Sequence, residues 1–268
     1  MGRNRSRGPF RLENHAQKQR KRLEEKIREE RKEQKIMTSA KRDTTVVLVH
    51  AAWADGSSWN KVTGELQREG FNVVAAQIPL TSFTDDVAAL RKVLLRQKGP
   101  IVLAGHSYGG GVITAAAAGN PTVKALVYIA AIVPDQGETV GDVFGRVPPH
   151  PSAPKLQPDA DGFLWLTVDA FRNAFAPDAL PSETALMAAA QKPISLKCLG
   201  EPMTNPAWRE KPTWFLIAEK DLMVSPETQR FTAARMKSKV VSLPVDHTPL
   251  VSKPDAVAEL ITAAWTSA

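Results

Sequence analysis

The amino-acid sequence predicts an α/β fold with a mostly parallel, six-stranded β-sheet, helices on both faces of the sheet, and a helical insertion. Two observations carry this prediction. Short apolar segments with many β-branched residues alternate along the chain with segments of helical character, and the apolar segments are almost uninterrupted by polar residues. Such continuous apolar runs are typical of parallel strands that are buried on both faces.

Six apolar segments are predicted to form the strands. In chain order they are TTVVLVHA (44–51), FNVVAAQIP (71–79), PIVLAGH (100–106), VKALVYIAAIV (123–133), PTWFLIAEKD (212–221) and KVVSLPVD (239–246). Four of them precede the insertion and two follow it. We therefore expect the core to consist of residues 43–133 and 212–268. The 43% hydrophobic composition of the whole chain suits a single domain with a sizeable core.

The helices between these strands are predicted from capping residues and apolar stripes. The first starts on Ser57 as its N-cap and ends at Gly70. The second is capped by Thr84, and acidic residues follow in its first turn, where they favour the positive end of the helix dipole. Further helices are predicted at 110–120, 226–237 and 254–265.

The alternation stops between residues 134 and 211. This segment contains the proline-rich stretch VPPHPSAP and shows no clear strand, although helical patterns occur near 168–176 and 182–191. We predict that residues 134–211 form a cap over the core.

The net charge of +7 belongs to the N-terminus. Residues 1–36 contain 13 of the 35 Lys and Arg residues and 6 of the 28 Asp and Glu residues, which leaves 22 of each sign in the rest of the chain. Residues 1–42 are therefore predicted to be a basic tail that is either disordered or a solvated helix. The balanced core gives no reason to expect a nucleic-acid partner, and a tether to an acidic partner is an alternative for the tail only.

Several classes of protein are excluded by composition. The single cysteine, Cys198, cannot form an intramolecular disulfide or a zinc site that needs several cysteines. No apolar run approaches the roughly 20 residues of a membrane-spanning helix, and the first residues lack the apolar stretch of a secretory signal. We expect a cytoplasmic protein that does not associate with a membrane.

The stretch GHSYGG supplies a candidate nucleophile, Ser107. It has the form G-x-S-x-G and lies between a predicted strand and a predicted helix, the context in which this motif forms a strained turn. Glycine is expected at Gly105 and Gly109 because a β-carbon there would collide with a neighbouring strand or helix. The backbone N–H of Tyr108 can stabilise an oxyanion at the helix N-terminus, whereas the side chain of His106 is expected to point away. The alternative is a glycine-rich turn without chemistry.

A serine nucleophile needs a base and an acid. His247 follows the last predicted strand, and Asp221 follows the preceding strand 26 residues earlier, so the chain order is serine, acid, histidine. Asp221 would hold the imidazole tautomer and stabilise the imidazolium. Asp135, after the fourth strand, is the main competitor, and Glu219 is a less suitable substitute. The alternative for His247 is a loop histidine without a catalytic role.

The loop HAAWADGSSW after the first strand is expected to provide the second oxyanion donor, the backbone N–H of Ala52, with the next residue in the pocket wall. Four aromatic side chains are candidates for the substrate pocket: Trp53, Trp165, Phe171 and Phe175. Most apolar cap residues are expected to pack the cap onto the core. No cluster of Arg or Lys marks the cap as a site for anions.

Five segments together carry a family resemblance: VVLVHAAWADGSSW, VLAGHSYGGGVI, VYIAAIVPDQGE, AEKDLMVSP and DHTPLVSKP. From about residue 44 to 266 they resemble the α/β-hydrolase superfamily, in the branch of plant methylesterases, hydroxynitrile lyases and small bacterial esterases. The resemblance implies the same triad and oxyanion donors and gives Asp135 a structural role. The chain departs from the family in having Ala51 where glycine is usual. It also lacks the threonine and lysine that the lyases carry at Ala51 and Thr248, which argues against cyanohydrin chemistry.

These features predict a serine hydrolase for small, mostly uncharged carboxylic esters, working through an acyl-enzyme intermediate without a metal or organic cofactor. Two alternatives use the same fold. One is a cofactor-free perhydrolase or haloperoxidase activity, in which peroxide replaces water. The other is a non-catalytic ligand-binding protein.

Overall fold

The computed structural model describes residues 22, 26–29, 32, 37 and 39–267. Contacts divide the chain into two units, Met1–Arg42 and Asp43–Ala268. The described residues of the first unit have helical backbone. Otherwise the prediction for the tail, residues 1–42, lies outside the described residues. No described helix is long and apolar enough to cross a membrane.

The second unit contains a six-stranded parallel sheet, which confirms the predicted fold class. The strands of the unit are β1 (Thr45–Val49), β2 (Asn72–Ala76), β3 (Ile101–His106), β4 (Val123–Ile129), β5 (Phe163–Leu164), β6 (Ile194–Ser195), β7 (Thr213–Ala218) and β8 (Lys239–Leu243). The main sheet has the order β2-β1-β3-β4-β7-β8, and every neighbouring pair in it is parallel. The carboxyl ends of its strands therefore lie at one edge, where the loops that follow them can meet.

Helices cover both faces of this sheet. They are α1 (Asn60–Arg68), α2 (Phe83–Leu95), α3 (Gly109–Ala116), α4 (Val140–Phe144), α5 (Val168–Ala170), α6 (Pro181–Ala189), α7 (Lys197–Gly200), α8 (Pro226–Arg235), α9 (Pro249–Ser252) and α10 (Pro254–Thr266). Because successive strand side chains point to opposite faces, Val47 and Val49 join a core with α2 and α3, whereas Val46 and Leu48 join a core with α1 and α10.

The first predicted helix starts differently from the prediction. A 3₁₀ turn, Gly56–Trp59, precedes α1, and its N-cap is Asp55, whose carboxylate accepts the backbone N–H of Ser57 at 2.8 Å. Ser57 is therefore inside the turn and is not the cap. The first backbone N–H groups of a helical turn have no partner within the turn. An aspartate carboxylate at the N-cap can accept one of them as well as a serine hydroxyl can.

The second predicted N-cap, Thr84, is also wrong. The cap of α2 is Ser82, which has extended backbone and accepts the N–H of Asp85 at 3.0 Å. The hydroxyl of Thr84 donates instead to the carboxylate of Glu201, at 2.6 Å. The stretch TSFTDD offers more than one hydroxyl cap, and the hydroxyl that does not cap the helix is bonded to a residue far along the chain.

The predicted cap segment, residues 134–211, contains several short helices joined by irregular stretches, and residues 171–175 form a π-helical turn. The structure adds a two-residue antiparallel pair, β5 with β6, where the sequence indicated no strand. Two residues are too few to leave an alternating pattern. Phe171 and Phe175 are fully buried and belong to the same core cluster as α2 and α3. This part of the segment is thereby packed into that core.

Candidate active site

Ser107 occupies a strained turn between β3 and α3. Its φ angle is 52°, in the left-handed region that is unfavourable for residues with a β-carbon. The turn is held by the backbone, because the N–H of Ser107 donates to the carbonyl of Ile129 at 3.0 Å and its carbonyl accepts from Gly110 at 2.9 Å and Ile132 at 3.1 Å. The strand and helix on either side therefore fix the position of the serine.

The two glycines of the motif are required by close backbone approaches. A β-carbon on Gly105 would lie 2.6 Å from the carbonyl oxygen of Gly109, and a β-carbon on Gly109 would lie 2.7 Å from the carbonyl oxygen of His50. Both contacts are with backbone, which cannot move aside cheaply. The helix can start this close to the strands only because both positions lack a side chain.

His247 and Asp221 form a buried pair. The imidazole Nδ1 lies 2.7 Å from Oδ2 of Asp221, and both residues are almost fully buried. Oδ1 of Asp221 accepts the backbone N–H of Met223 at 2.7 Å and of Val224 at 2.9 Å, and the amide of Gln229 donates to Oδ2 at 2.8 Å. Because the carboxylate acts only as an acceptor, Nδ1 carries the proton and Nε2 of the neutral ring is left as the basic nitrogen.

Gln229 is a part of this arrangement that sequence reasoning missed. Besides its bond to Asp221, its amide nitrogen donates to the carbonyl of Val224 at 2.8 Å, and its oxygen accepts the N–H of Ala218 at 2.9 Å. It thus ties the end of β7 to the loop that carries the acid. The only signal was a polar residue in α8, and polar residues are common in surface helices.

Ser107 and His247 are both buried, and the ring of His106, the residue directly before Ser107, lies 4.8 Å from that of His247. Within residues 39–267, no hydrogen bond joins the Ser107 hydroxyl to the imidazole. Catalytic hydrogen bonds without bound substrate are often longer than in the reacting complex.

The two candidate oxyanion donors are free. Among the described residues, neither the N–H of Ala52 nor that of Tyr108 donates to an acceptor. Both residues are buried, and buried backbone amides without a partner are rare in folded proteins. Trp53, directly after Ala52, has a φ angle of 57°, so the loop that carries this donor is strained like the serine turn.

The side chain of Tyr108 is anchored in the core. Its hydroxyl donates to Asp86 at 2.5 Å, and the same carboxylate accepts the N–H of Leu80 at 2.6 Å and the thiol of Cys198 at 3.6 Å. Burial raises the pKa of Asp86 above its ordinary value, and burial raises the pKa of the Cys198 thiol to about 12. The residue that carries one candidate oxyanion amide is thus held through its side chain as well as by the serine turn.

A model described as the alpha/beta hydrolase family matches residues 46–260. The chain belongs to this family. Methylesterase 3 of Arabidopsis thaliana is 24% identical over 84% of this chain and 97% of the relative. A carbendazim-hydrolysing esterase of Nocardioides sp. (strain SG-4G) is 26% identical over 81% of this chain and 98% of the relative.

Among solved structures, a pyrethroid hydrolase from Sphingobium faniae JZ-2 has the same fold, with a TM-score of 0.70 and 24% identity over 82% of this chain and 96% of that one. The resemblance to the branch of plant methylesterases and bacterial esterases is confirmed.

The competing acidic residues of this hydrolase lie elsewhere. Asp135 pairs with Arg209 at 2.6 Å, and Glu219 pairs with Arg230 at 2.6 Å. Neither makes a hydrogen bond to His247. Of the three candidate acids, the structure brings only Asp221 to the imidazole.

Three of the four candidate pocket residues form a row of rings next to His247. Phe175 packs edge-on against the imidazole at 5.3 Å between ring centroids, and it also contacts Trp53 at 6.3 Å and Phe171 at 5.0 Å. Trp165 is not part of the row. It is half-exposed, and its indole N–H donates to Asp159 at the surface.

Trp53 also lines a cavity of about 370 Å³. Its apolar lining comes from the core and from α6: Trp53, Leu186, Met187, Ala190 and Val251. The indole N–H of Trp53 donates to the carbonyl of Leu164 at 2.9 Å, so a cap strand holds this wall of the cavity in place.

Proposed function

We propose that this hydrolase cleaves small, mostly uncharged carboxylic esters through an acyl-enzyme intermediate. The observation that carries the proposal is the buried 2.7 Å contact between His247 Nδ1 and Asp221 Oδ2, in a fold that also places Ser107 on a strained strand-to-helix turn. This contact leaves Nε2 as a base, and a base beside a serine is the requirement for nucleophilic catalysis at neutral pH.

In the first half of the proposed reaction, Ser107 Oγ attacks the ester carbonyl carbon while Nε2 of His247 takes the hydroxyl proton. The electron pair of the carbonyl moves to its oxygen, which is held by the free N–H groups of Ala52 and Tyr108. The tetrahedral intermediate then collapses. The bond to the alcohol oxygen breaks, and the imidazolium returns its proton to the leaving alcohol.

In the second half, a water molecule attacks the acyl-enzyme. His247 takes a proton from the water, the oxyanion forms again at the same two amides, and the bond between Ser107 and the acyl carbon breaks as the imidazolium protonates Oγ. The products are a carboxylic acid and an alcohol, and the enzyme returns to its starting state.

The surroundings of the site support a substrate without negative charge. The rings that cover His247 are apolar. The cavity lined by Trp53 also has the acidic residue Asp55, and the basic residue in its lining, Lys61, already pairs with Glu183 at 2.6 Å and donates to the carbonyl of Val251. A substrate carboxylate would therefore compete with an existing ion pair. The names of the relatives, a methylesterase and a carbendazim-hydrolysing esterase, agree with ester substrates.

A panel of p-nitrophenyl esters tests this proposal. We expect turnover of short neutral acyl esters, weak turnover of a hemisuccinate ester, and a loss of about 10⁴-fold or more in kcat for Ser107→Ala, because removing the nucleophile leaves only binding and the oxyanion site. Ser152→Ala, on an exposed loop, is the matched control and should behave as wild type.

Turnover retained by folded Ser107→Ala, or confined to charged esters, would contradict the proposal. Binding without any serine-dependent turnover would favour a ligand-binding protein. Adding hydrogen peroxide to the same assay separates the perhydrolase alternative, which requires peracid to exceed the carboxylic acid among the products.

A further inference from the structure

His106 is a buried histidine beside the nucleophile to which the proposed reaction gives no role. It is the last residue of β3 and is 1% exposed. Its Nε2 lies 2.6 Å from the backbone carbonyl oxygen of His247, and its Nδ1 is buried without a hydrogen-bond partner. The side chain therefore reaches the backbone of the candidate base.

These two contacts define the state of the ring. A carbonyl oxygen can only accept, so Nε2 of His106 carries the proton and donates it. Protonation of Nδ1 would place a positive charge in the core with no acceptor beside it. Burial, and then the nearby ring of His247, hold the pKa of His106 well below its ordinary value. The charged or titratable groups that face it are His247 and, more weakly, His50.

The bond from His106 has no substitute in the structure. Among the described residues, the backbone of His247 makes no other hydrogen bond. The nearby hydrogen bonds of this loop are made by the backbone N–H groups of Asp246 and Thr248. The loop follows β8, an edge strand that is largely exposed. Without the donor from His106, the candidate base would be held on its backbone only through adjacent residues.

The His106 ring also supports the imidazole from one side. The two histidine rings lie 4.8 Å apart, and Trp59 and Phe175 pack edge-on against His106 at 6.4 and 6.5 Å. Trp59 belongs to the core on the far face of the sheet. The imidazole of His247 is thus connected through His106 to the rigid interior, while Asp221 holds its Nδ1.

We propose that His106 is a positioning residue for catalysis: a permanently neutral donor that fixes the backbone of His247 so that Nε2 faces Ser107. This inference rests on the proposed role of His247 as the base. Because the His106 ring is neutral, it can pack against the imidazolium that forms during acyl transfer without repelling it. A charged neighbour such as lysine or arginine in this place would oppose that imidazolium.

Two substitutions separate donation from packing. His106→Phe keeps a ring but has no donor, and we expect kcat with p-nitrophenyl acetate to fall by about 100-fold with KM changed less than about threefold, since a displacement of about 1 Å costs this much. His106→Gln can place an N–H near the position of Nε2, and we expect it to retain kcat within about tenfold of wild type. The acidic limb of the kcat/KM profile should shift in His106→Phe and not in His106→Gln.

His150→Gln, on an exposed loop, is the matched histidine control and should leave both the rate and the pH profile unchanged. Unaltered kcat in His106→Phe, or equal losses in the phenylalanine and glutamine variants, would overturn the inference. If Ser107→Ala is inactive while His106→Phe is fully active, only this inference fails. If folded Ser107→Ala keeps its activity, the proposed function fails, and the inference that rests on it fails with it.

A measurement on the wild-type protein covers the case in which His106→Phe does not fold. In ¹⁵N-histidine NMR spectra, we expect His106 to stay in the neutral Nε2–H form from pH 5 to 9 without titrating. Titration in this range, or an Nδ1–H tautomer, would overturn the proposal regardless of how the variants behave.

Discussion

The acid side and the oxyanion side of the candidate site are built in opposite ways. After β7, both oxygens of Asp221 accept hydrogen bonds, and no left-handed residue with a side chain lies in that loop. After β1 and β3, by contrast, Trp53 and Ser107 have left-handed φ angles, and the amides of Ala52 and Tyr108 have no acceptor among the described residues.

This difference follows from what each side has to do. A base is useful when its tautomer and direction are fixed before the substrate arrives, so the groups around it are saturated with hydrogen bonds. An oxyanion site must instead keep donors unpaired until charge develops on the substrate, and the surrounding fold has to carry the resulting cost. Three substitutions test this contrast, from the largest expected effect to the smallest.

The largest effect is expected for Asp221→Asn. The two backbone N–H groups at Oδ1 would hold the asparagine oxygen on their side, so its NH₂ would face Nδ1 of His247. The imidazole would then take the Nε2–H tautomer and could not accept the serine proton. We expect kcat to fall on the order of 10⁴-fold.

The measurement is steady-state hydrolysis of a neutral ester, with circular dichroism to establish folding. Asp135→Asn is the control, because that carboxylate lies in a partly exposed pair with Arg209, and it should change kcat by less than about twofold. Comparable losses of kcat in the two variants would mean that the hydrogen-bonded carboxylate of Asp221 has no special role compared with that of Asp135.

The second effect concerns stability on the oxyanion side. His50 directly follows β1, and its Nε2 accepts the N–H of Ile78 at 3.2 Å. Burial lowers the pKa of His50 from 6.5 to about 4. The unfolded chain therefore binds a proton here below pH 6.5, but the folded chain does so only below about 4. The free energy of unfolding should fall as the pH drops through this window, by about 3 kcal/mol from this residue.

Urea denaturation at pH 7 and pH 4 measures this loss. In His50→Gln, whose side-chain oxygen can still accept from Ile78 without titrating, we expect a shallower pH dependence. Some pH dependence should remain in this variant, because burial also lowers the pKa of His106. Identical slopes in the two proteins would show that His50 does not carry the acid sensitivity.

The parts of the molecule that could be predicted from sequence are those with a local signature. The strands are continuous apolar runs. Ser107 lies in a motif whose two glycines are required because a β-carbon at either position would collide with backbone atoms. Asp221 and His247 could be proposed from their places after two strands, because the carboxyl ends of parallel strands meet at one edge.

What could not be predicted depends on contacts between distant segments. Gln229, Asp86 and His106 have no local pattern that separates them from ordinary polar residues, and each is defined only by its partner in space. The same holds for the aromatic residues of the predicted cap. The sequence gives no reason to treat Trp165 and Phe175 differently, but Trp165 lies at the surface and Phe175 packs against the imidazole of His247.

The smallest of the three effects is expected at the serine turn itself. In Gly109→Ala the new β-carbon would lie 2.7 Å from the carbonyl oxygen of His50 and 2.8 Å from that of Val49, so β1 and α3 would have to separate. We expect a loss of about 1–3 kcal/mol in the free energy of unfolding, typical of overpacking. Gly64→Ala is the matched control in α1, where no atom lies within 4 Å of the added carbon, and it should gain about 0.5–1 kcal/mol. Equal stability of the two variants would mean that the oxyanion side can relax, and that its strain is not imposed by the packing of β1 against α3.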